Sequence, residues 1–362
     1  MKWEKMLEKM KLPLVGALFG LVSVMLVSSG NPGNMGLCVA CFVRDTGGAI
    51  GLHNFEPTQY VRPEIIGMIL GALIVSISTK EFAAKGGSAP ITRFALGAAV
   101  MIGALIFLGC PTRMLLRIAG GDLNAIVGLV GFAAGISGGM FFLHRGFSLK
   151  RAYSISKTDA FILPMIAVLL LVALLFVPSI LNFTEVGGGP GGARAPIAMA
   201  LGIGLLMGGI GFVSRFCFVA GIRDSFFFKN FSMLGAFVAL LVIATIGNIV
   251  LGQFNLGFES QPVAHTDGVW NFLGLGLVGF GSVLLGGCPL RQVILAGSGN
   301  ADSVAAVFGL TFGAALAHNF SLASSPVGIG ENAPVAFVIA TGMVLCIAIY
   351  NTYFNKKERK NV

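Results

Sequence analysis

Apolar stretches of about 16 to 22 residues, separated by short polar or glycine-rich connections, recur along the whole chain. Each is close to the roughly 20 residues that a helix needs to cross about 30 Å of hydrocarbon. They fall near residues 13–30, 64–79, 93–110, 124–143 and 159–181, and again near 197–213, 232–252, 270–287, 303–320 and 333–353. The pattern predicts an all-α polytopic membrane protein with about nine or ten transmembrane helices plus short re-entrant helices. One segment breaks it. Asn31 to Arg62 carries Arg44 and Asp45 and is too polar to cross lipid, yet Leu37 to Val43 is too apolar for a free loop. We read it as re-entrant, since irregular backbone at membrane depth is tolerated where protein or a wet cavity covers it. Met1 to Gly30 has the lysine-rich start and apolar middle of a signal peptide but no clear small-x-small cleavage site, and is read as a retained first helix.

The run Gly187-Gly188-Gly189-Pro190-Gly191-Gly192 divides the chain into a first repeat (1–186), a connection (187–196) and a second repeat (197–362). Cys38 and Cys217 are 179 positions apart, as are Arg44-Asp45 and Arg223-Asp224. Cys110-Pro111 and Cys288-Pro289 are 178 apart, as are Arg113 and Arg291, and Gly121, Gly131 and Gly135 fall on Gly299, Gly309 and Gly313. Agreement among several rare residue types predicts an internal duplication, and an odd number of spans per copy makes the copies face opposite ways.

Composition fits this reading. With 56% hydrophobic and 11% charged residues and 52 glycines in 362 positions, no soluble domain of useful size is left over. The net charge of +9 is dispersed among short loops, which argues against a nucleic-acid partner. If the N-terminus is cytoplasmic, 19 of the 24 lysines and arginines lie inside (Lys2, Lys5, Lys9, Lys11, Lys80, Lys85, Arg93, Arg145, Lys150, Arg151, Lys157, Arg215, Arg223, Lys229, Arg291, Lys356, Lys357, Arg359, Lys360). Only Arg44, Arg62, Arg113, Arg117 and Arg194 lie outside, so both termini are expected in the cytoplasm.

The candidate chemistry sits where spans end. Gly109-Cys110-Pro111-Thr112-Arg113 and Gly287-Cys288-Pro289-Leu290-Arg291 each place a thiol and a guanidinium at the end of a hydrophobic run. Proline at the first position of a helix removes no needed hydrogen bond, so a short helix can start at Pro111 and Pro289 with its free N–H groups aimed at a cavity that attracts anions. Gly109 and Gly287, with Gly286, permit close backbone approach there. Cys38, Arg44, Cys110 and Arg113 would approach the midplane from outside, and Cys217, Arg223, Cys288 and Arg291 from inside. A neutral thiol is a weak donor with a polarizable surface, which suits an anion bearing exposed soft sulfur or selenium better than a hard oxyanion. The arginines would supply the charge that a desolvated anion needs.

Plainer readings stand beside this one. Arg44-Asp45 and Arg223-Asp224 equally fit structural ion pairs, Arg113, Arg117 and Arg291 fit snorkelling residues, and Cys346 fits a packing residue. His144, His265 and His318 are isolated, so no metal site is expected, and the absence of a nucleotide-binding loop argues against ATP hydrolysis; no cofactor is expected. Cys38-x-x-Cys41 has the spacing of a redox pair, and keeps open a membrane thiol-disulfide oxidoreductase as well as a passive anion channel.

The paired Gly-Cys-Pro-x-Arg elements, the run Cys217-Phe218-Val219-Ala220-Gly221-Ile222-Arg223-Asp224 and the duplicated polytopic layout resemble the YeeE/YedE family of sulfur-transport membrane proteins. The long form with the Cys38-x-x-Cys41 segment is similar to the YedE branch associated with selenium metabolism. The resemblance implies a non-enzymatic bacterial inner-membrane protein that takes up thiosulfate or a related sulfur or selenium anion. It puts the passage of substrate, by transient hydrogen bonds to thiols, on Cys110, Cys217 and Cys288. It also implies a link to a small TusA-like (SirA-like) sulfur-carrier protein on the cytoplasmic side.

Overall fold

The computed structural model describes residues 2–354. Lys356, Lys357, Arg359 and Lys360, and the side chains of Lys2, Lys5 and Lys9, which enter the charge-based topology, lie outside the described residues.

The chain is helical almost throughout. The first half runs through α1 (Lys2–Ser28), α2 (Val39–Ala49), α3 (Pro63–Ser78), α4 (Pro90–Phe107), α5 (Pro111–Ala119), α6 (Leu123–His144), the single turn α7 (Lys157–Ala160) and α8 (Ile162–Phe176). The second half runs through α9 (Ile197–Val213), α10 (Phe218–Phe228), α11 (Ser232–Val250), α12 (Gly268–Leu285), α13 (Pro289–Gly297), α14 (Ala301–Asn319) and α15 (Ala333–Ile349). The one sheet among the described residues is a two-residue antiparallel pairing of β1 (Lys85–Gly86) with β2 (Tyr153–Ser154), with Lys85 opposite Ser154.

Nine helical stretches among the described residues are long and apolar enough to cross a membrane. This is an all-α, multi-pass membrane protein. The tenth stretch of the sequence reading, near 159–181, holds only the 15-residue α8, because the α7 turn precedes it and Pro178 follows it. Three of the nine stretches contain a break, so that a long helix (α4, α9 or α12) hands over to a short one (α5, α10 or α13). The re-entrant reading of Asn31 to Arg62 corresponds to α2, which is buried along its whole length.

The breaks at α4 and α12 are built alike. The residue that turns left-handed is Leu108 (φ +66°) in one and Gly286 (φ +89°) in the other, rather than Gly109 and Gly287. Those two glycines instead leave room for an arginine folding back from the next helix. A Cβ on Gly109 would lie 2.6 Å from Arg113 Cδ, and one on Gly287 2.9 Å from Arg291 Cγ. Pro111 and Pro289 then begin α5 and α13, where a missing N–H costs nothing.

Packing between the halves is reciprocal. α6 lies against α12 as α14 lies against α4, and α3 lies against α9 as α11 lies against α1. A Cβ on Gly131 would run into the backbone of Phe272, and one on Gly309 into that of Phe94; Gly135 meets Gly276 as Gly313 meets Ala98. Every residue in the second member of each pairing sits 178 positions from its counterpart in the first. α4 and α12 cross antiparallel at the centre, with Gly103 against Val278 and Gly281 against Val100. They are the buried spine: in an 18-residue apolar segment of Pro90–Ala119 89% of residues are buried, and in one of Gly268–Gly297 83%, against 28% in that of the stretch containing α15.

Two connections cap the short helices. Residues 251–267 cover the end of α5, where Leu123 N–H donates to Gly257 O (3.0 Å) and Asn255 N–H to Gly120 O (2.9 Å). Residues 79–89 cover the end of α13, where Ala83 N–H reaches Ser298 O and Lys85 N–H reaches Gly299 O, both at 3.4 Å. The glycine-rich connection is also docked: Arg62 donates to Pro190 O (2.6 Å) and Ala193 O (3.2 Å), and Gly191 N–H to Pro57 O (2.8 Å).

Candidate functional site

Each of the four cysteines singled out by the repeat is the residue that immediately precedes a short helix: Cys38 before α2, Cys110 before α5, Cys217 before α10 and Cys288 before α13. All four have extended backbone at the cap position and buried side chains. They meet in two pairs. Cys38 Sγ lies 3.7 Å from Cys110 Sγ, and Cys217 Sγ lies 3.7 Å from Cys288 Sγ. Two helix N-termini therefore converge on each thiol pair, and since each carries roughly half an elementary positive charge, each pair sits in a field of about one. Apolar surroundings screen that field weakly.

The two pairs differ in what surrounds them. Beside Cys38 stands a third thiol, Cys41, whose backbone N–H points at Cys38 Sγ (3.4 Å); the matching position in the second half is Ala220. All three thiols are free. Arg113 is buried and folds back over this cluster. Its Nη1 donates to Cys41 Sγ (3.5 Å) and Leu108 O (2.9 Å), and its Nη2 to Gly33 O (3.5 Å) and Val263 O (3.3 Å). Arg291, three residues after Cys288, is half-buried, and its Nη1 is enclosed without a hydrogen-bond partner.

The other predicted arginines are already occupied. Arg44 pairs with Asp45 (Nε to Oδ1, 2.8 Å), and Arg62 takes the other oxygen of the same carboxylate (2.8 Å). The second half has the simpler pair, Arg223 with Asp224 at 2.7 Å and partly exposed. Arg44 and Arg223 thus form the ion pairs that the plainer reading allowed. The snorkelling reading fails for Arg113 and Arg117, because both side chains are enclosed by protein. Cys346 is exposed on α15 beside exposed Leu345, so it is not packed inside the protein.

Sequence reasoning missed the pair Arg117–Asp122. Arg117 Nε donates to Asp122 Oδ2 (2.6 Å), Nη1 donates to Phe107 O (2.8 Å), and Asp122 caps α6 through Asn124 N–H (2.9 Å). An aspartate directly before the hydrophobic run of α6 was the available signal. It has no echo at Leu295 and Asn300, so comparison of the repeats passed over it. Also missed was His265, whose Nε2 lies 2.8 Å from Ile106 O in the last turn of α4. Burial lowers its pKa and keeps the ring neutral. No cluster of metal-ligating side chains occurs among the described residues.

With this geometry in view, residues 213–357, which hold Cys217, Cys288 and the helices they cap, match the family profile described as sulphur transport. This part of the chain is similar to the sulphur transport family. No curated protein matches the chain. The sulphur transport match begins at the end of α9 and runs through α15, so it contains one complete thiol pair and Arg291.

Proposed function

We propose that this chain carries a small sulfur-containing anion of the thiosulfate kind across the bacterial inner membrane, handing it from the Cys38–Cys110 pair to the Cys217–Cys288 pair. The observation that carries the reading is the identical construction of the two pairs: two thiols 3.7 Å apart, each capping a short helix, once in each half. A dehydrated anion loses several kcal/mol in low dielectric unless fixed positive charge replaces its water. The paired helix N-termini supply such charge without a bulky side chain in the path. The thiols then offer polarizable surface and weak S–H donors to exposed sulfur, contacts weak enough to let go. Arg113 on one side and Arg291 on the other concentrate the anion at the two mouths, and no bond is made or broken in transit.

The two halves act as inverted repeats. This is supported by the antiparallel crossing of α4 and α12 and by the reciprocal glycine contacts, because a two-fold axis perpendicular to a spanning helix turns one copy over relative to the other. By the charge bias, the Cys38–Cys110 pair serves the outside and the Cys217–Cys288 pair the cytoplasm, with both termini cytoplasmic. A TusA-like carrier receives the sulfur there, and a selenium analogue is the natural second substrate, since selenium is softer still.

A second reading draws on Cys41. Its position beside Cys38 and within reach of Arg113 favours a thiolate there, as in an oxidoreductase. Uptake of thiosulfate, sulfite, selenite and sulfate into proteoliposomes, measured in parallel, tests the proposal. Saturable entry of thiosulfate with exclusion of sulfate is expected. Equal entry of all four, or no entry with mixed disulfides trapped at Cys41, would point to a channel or to a redox enzyme instead.

A further inference from the structure

Of the four buried arginines among the described residues, Arg44 and Arg62 share Asp45 and Arg117 holds Asp122. Arg113 has no carboxylate. Its charge is met only by the carbonyls of Leu108, Gly33 and Val263 and by the Cys41 thiol, and its Nε is enclosed without a partner. A buried cation balanced by carbonyl dipoles alone is incompletely compensated. These acceptors come from three separate places: the α4–α5 break, the α1–α2 connection and, in Val263, the 251–267 connection of the other half.

That connection is held down under strain. Ser260 has φ +56° and Val263 φ +49°, the latter a left-handed conformation that a β-branched residue rarely adopts. Backbone bonds hold residues 255–257 to the end of α5, and three further contacts hold residues 262–265. The Val263 carbonyl accepts from Arg113, Gly33 leaves room for the Pro262 ring, and His265 reaches Ile106 O. The 79–89 connection, at the matching place in the first half, is fastened differently. Ser88 donates to Asp302 through its N–H (3.0 Å) and its hydroxyl (2.7 Å), and Arg93 lies 3.7 Å from the same carboxylate. There a carboxylate answers Arg93, while Arg291, the counterpart of Arg113, keeps Nη1 without a partner.

We propose that Arg113 forms an anion site that operates a gate: residues 251–267 close over the Cys38–Cys41–Cys110 cluster, and a small anion that takes the place of the Val263 and Gly33 carbonyls on Arg113 holds them open. The anion gains access during brief openings of the connection. It binds the open form better, because only there is the guanidinium free of its carbonyls, and so raises the open population. Release relaxes the left-handed backbone at Val263. This inference rests on the reading of the chain as an anion transporter.

Amide hydrogen exchange across residues 252–267, in the full chain in lipid nanodiscs, tests it. Sodium thiosulfate, compared with sodium chloride of equal ionic strength, is expected to speed exchange there at least about threefold, because the amides of Asn255 and Gly257 are bonded to Gly120 and Gly121 only while the connection is closed. In Arg113→Gln, exchange is expected to be fast without thiosulfate and unaffected by it. His265→Gln, which loosens the connection without touching the charge, should exchange faster yet still respond. Unchanged exchange on adding thiosulfate, in a preparation that takes up thiosulfate in proteoliposomes, overturns the gate and leaves transport standing. A preparation with neither response nor uptake removes the transport reading as well, and the gate with it.

Discussion

Asp122 and Arg117 form an ion pair with both side chains fully buried. Removing one partner strands the other's charge, so Asp122→Ala is expected to cost about 3–5 kcal/mol. The measurement is the yield and thermal midpoint of the detergent-purified protein, and an unchanged midpoint would mean that water reaches Arg117. The cysteines are a different case. Cys110→Ala or Cys288→Ala deletes a single sulfur atom, a loss of about 1 kcal/mol by analogy with trimming one buried methyl group, so the variants should fold and fail only in transport. The arginines show why residue type alone could not assign roles. Arg44, Arg113 and Arg291 look alike in sequence, yet Arg44 is tied to Asp45, Arg113 to carbonyls, and Arg291 keeps an open nitrogen.

The four short helices are the elements that matter most, and two of them were legible beforehand. Gly-Cys-Pro fixed the starts of α5 and α13, because proline can open a helix but not continue one. The start of α10 had no proline to mark it, and the αL residue at Leu108 had no glycine. Local sequence could not reveal which atoms a buried guanidinium would reach, since the acceptors of Arg113 lie as far away as Val263. At helix crossings, glycines separate cleanly into two kinds. Gly135→Ala and its counterpart Gly313→Ala push a Cβ into backbone and should each destabilise by about 1–3 kcal/mol. Gly202→Ala, with open space around it in the middle of α9, should be neutral or stabilising by up to about 1 kcal/mol. Thermal midpoints of the three variants check this, and equal effects would contradict the packing described. The 251–267 connection carries a pH dependence. Burial lowers the pKa of His265, with the nearby Arg117 opposing its protonation and Asp122 and Asp267 favouring it. Because the neutral ring is the folded form, its contribution is present above the ordinary value of 6.5 and is lost as pH falls below it. Amide protection in 252–267, corrected for intrinsic exchange, should therefore decline below about pH 6.5, and a flat profile would remove His265 as a fastener.

At the scale of the molecule, hydrophobic periodicity announced nearly all of the spanning helices, because lipid imposes length and apolarity on each one separately. The docking of the glycine-rich connection onto Arg62 was not visible, since it depends on a partner far away in sequence. The proposed inverted arrangement makes a direct topological prediction: Asn255→Cys should react with a membrane-impermeant thiol reagent from outside intact cells, and Glu81→Cys only after permeabilisation. Labelling of both from the same side would exclude inversion. The central claim, that the two thiol pairs are stations on one route, is tested most directly by the initial rate of radiolabelled thiosulfate uptake into proteoliposomes containing wild type, Cys110→Ala or Cys288→Ala at matched folded protein. Both variants should fall at least about tenfold below wild type, because loss of either station interrupts the same path. Wild-type rates in either variant would contradict the account.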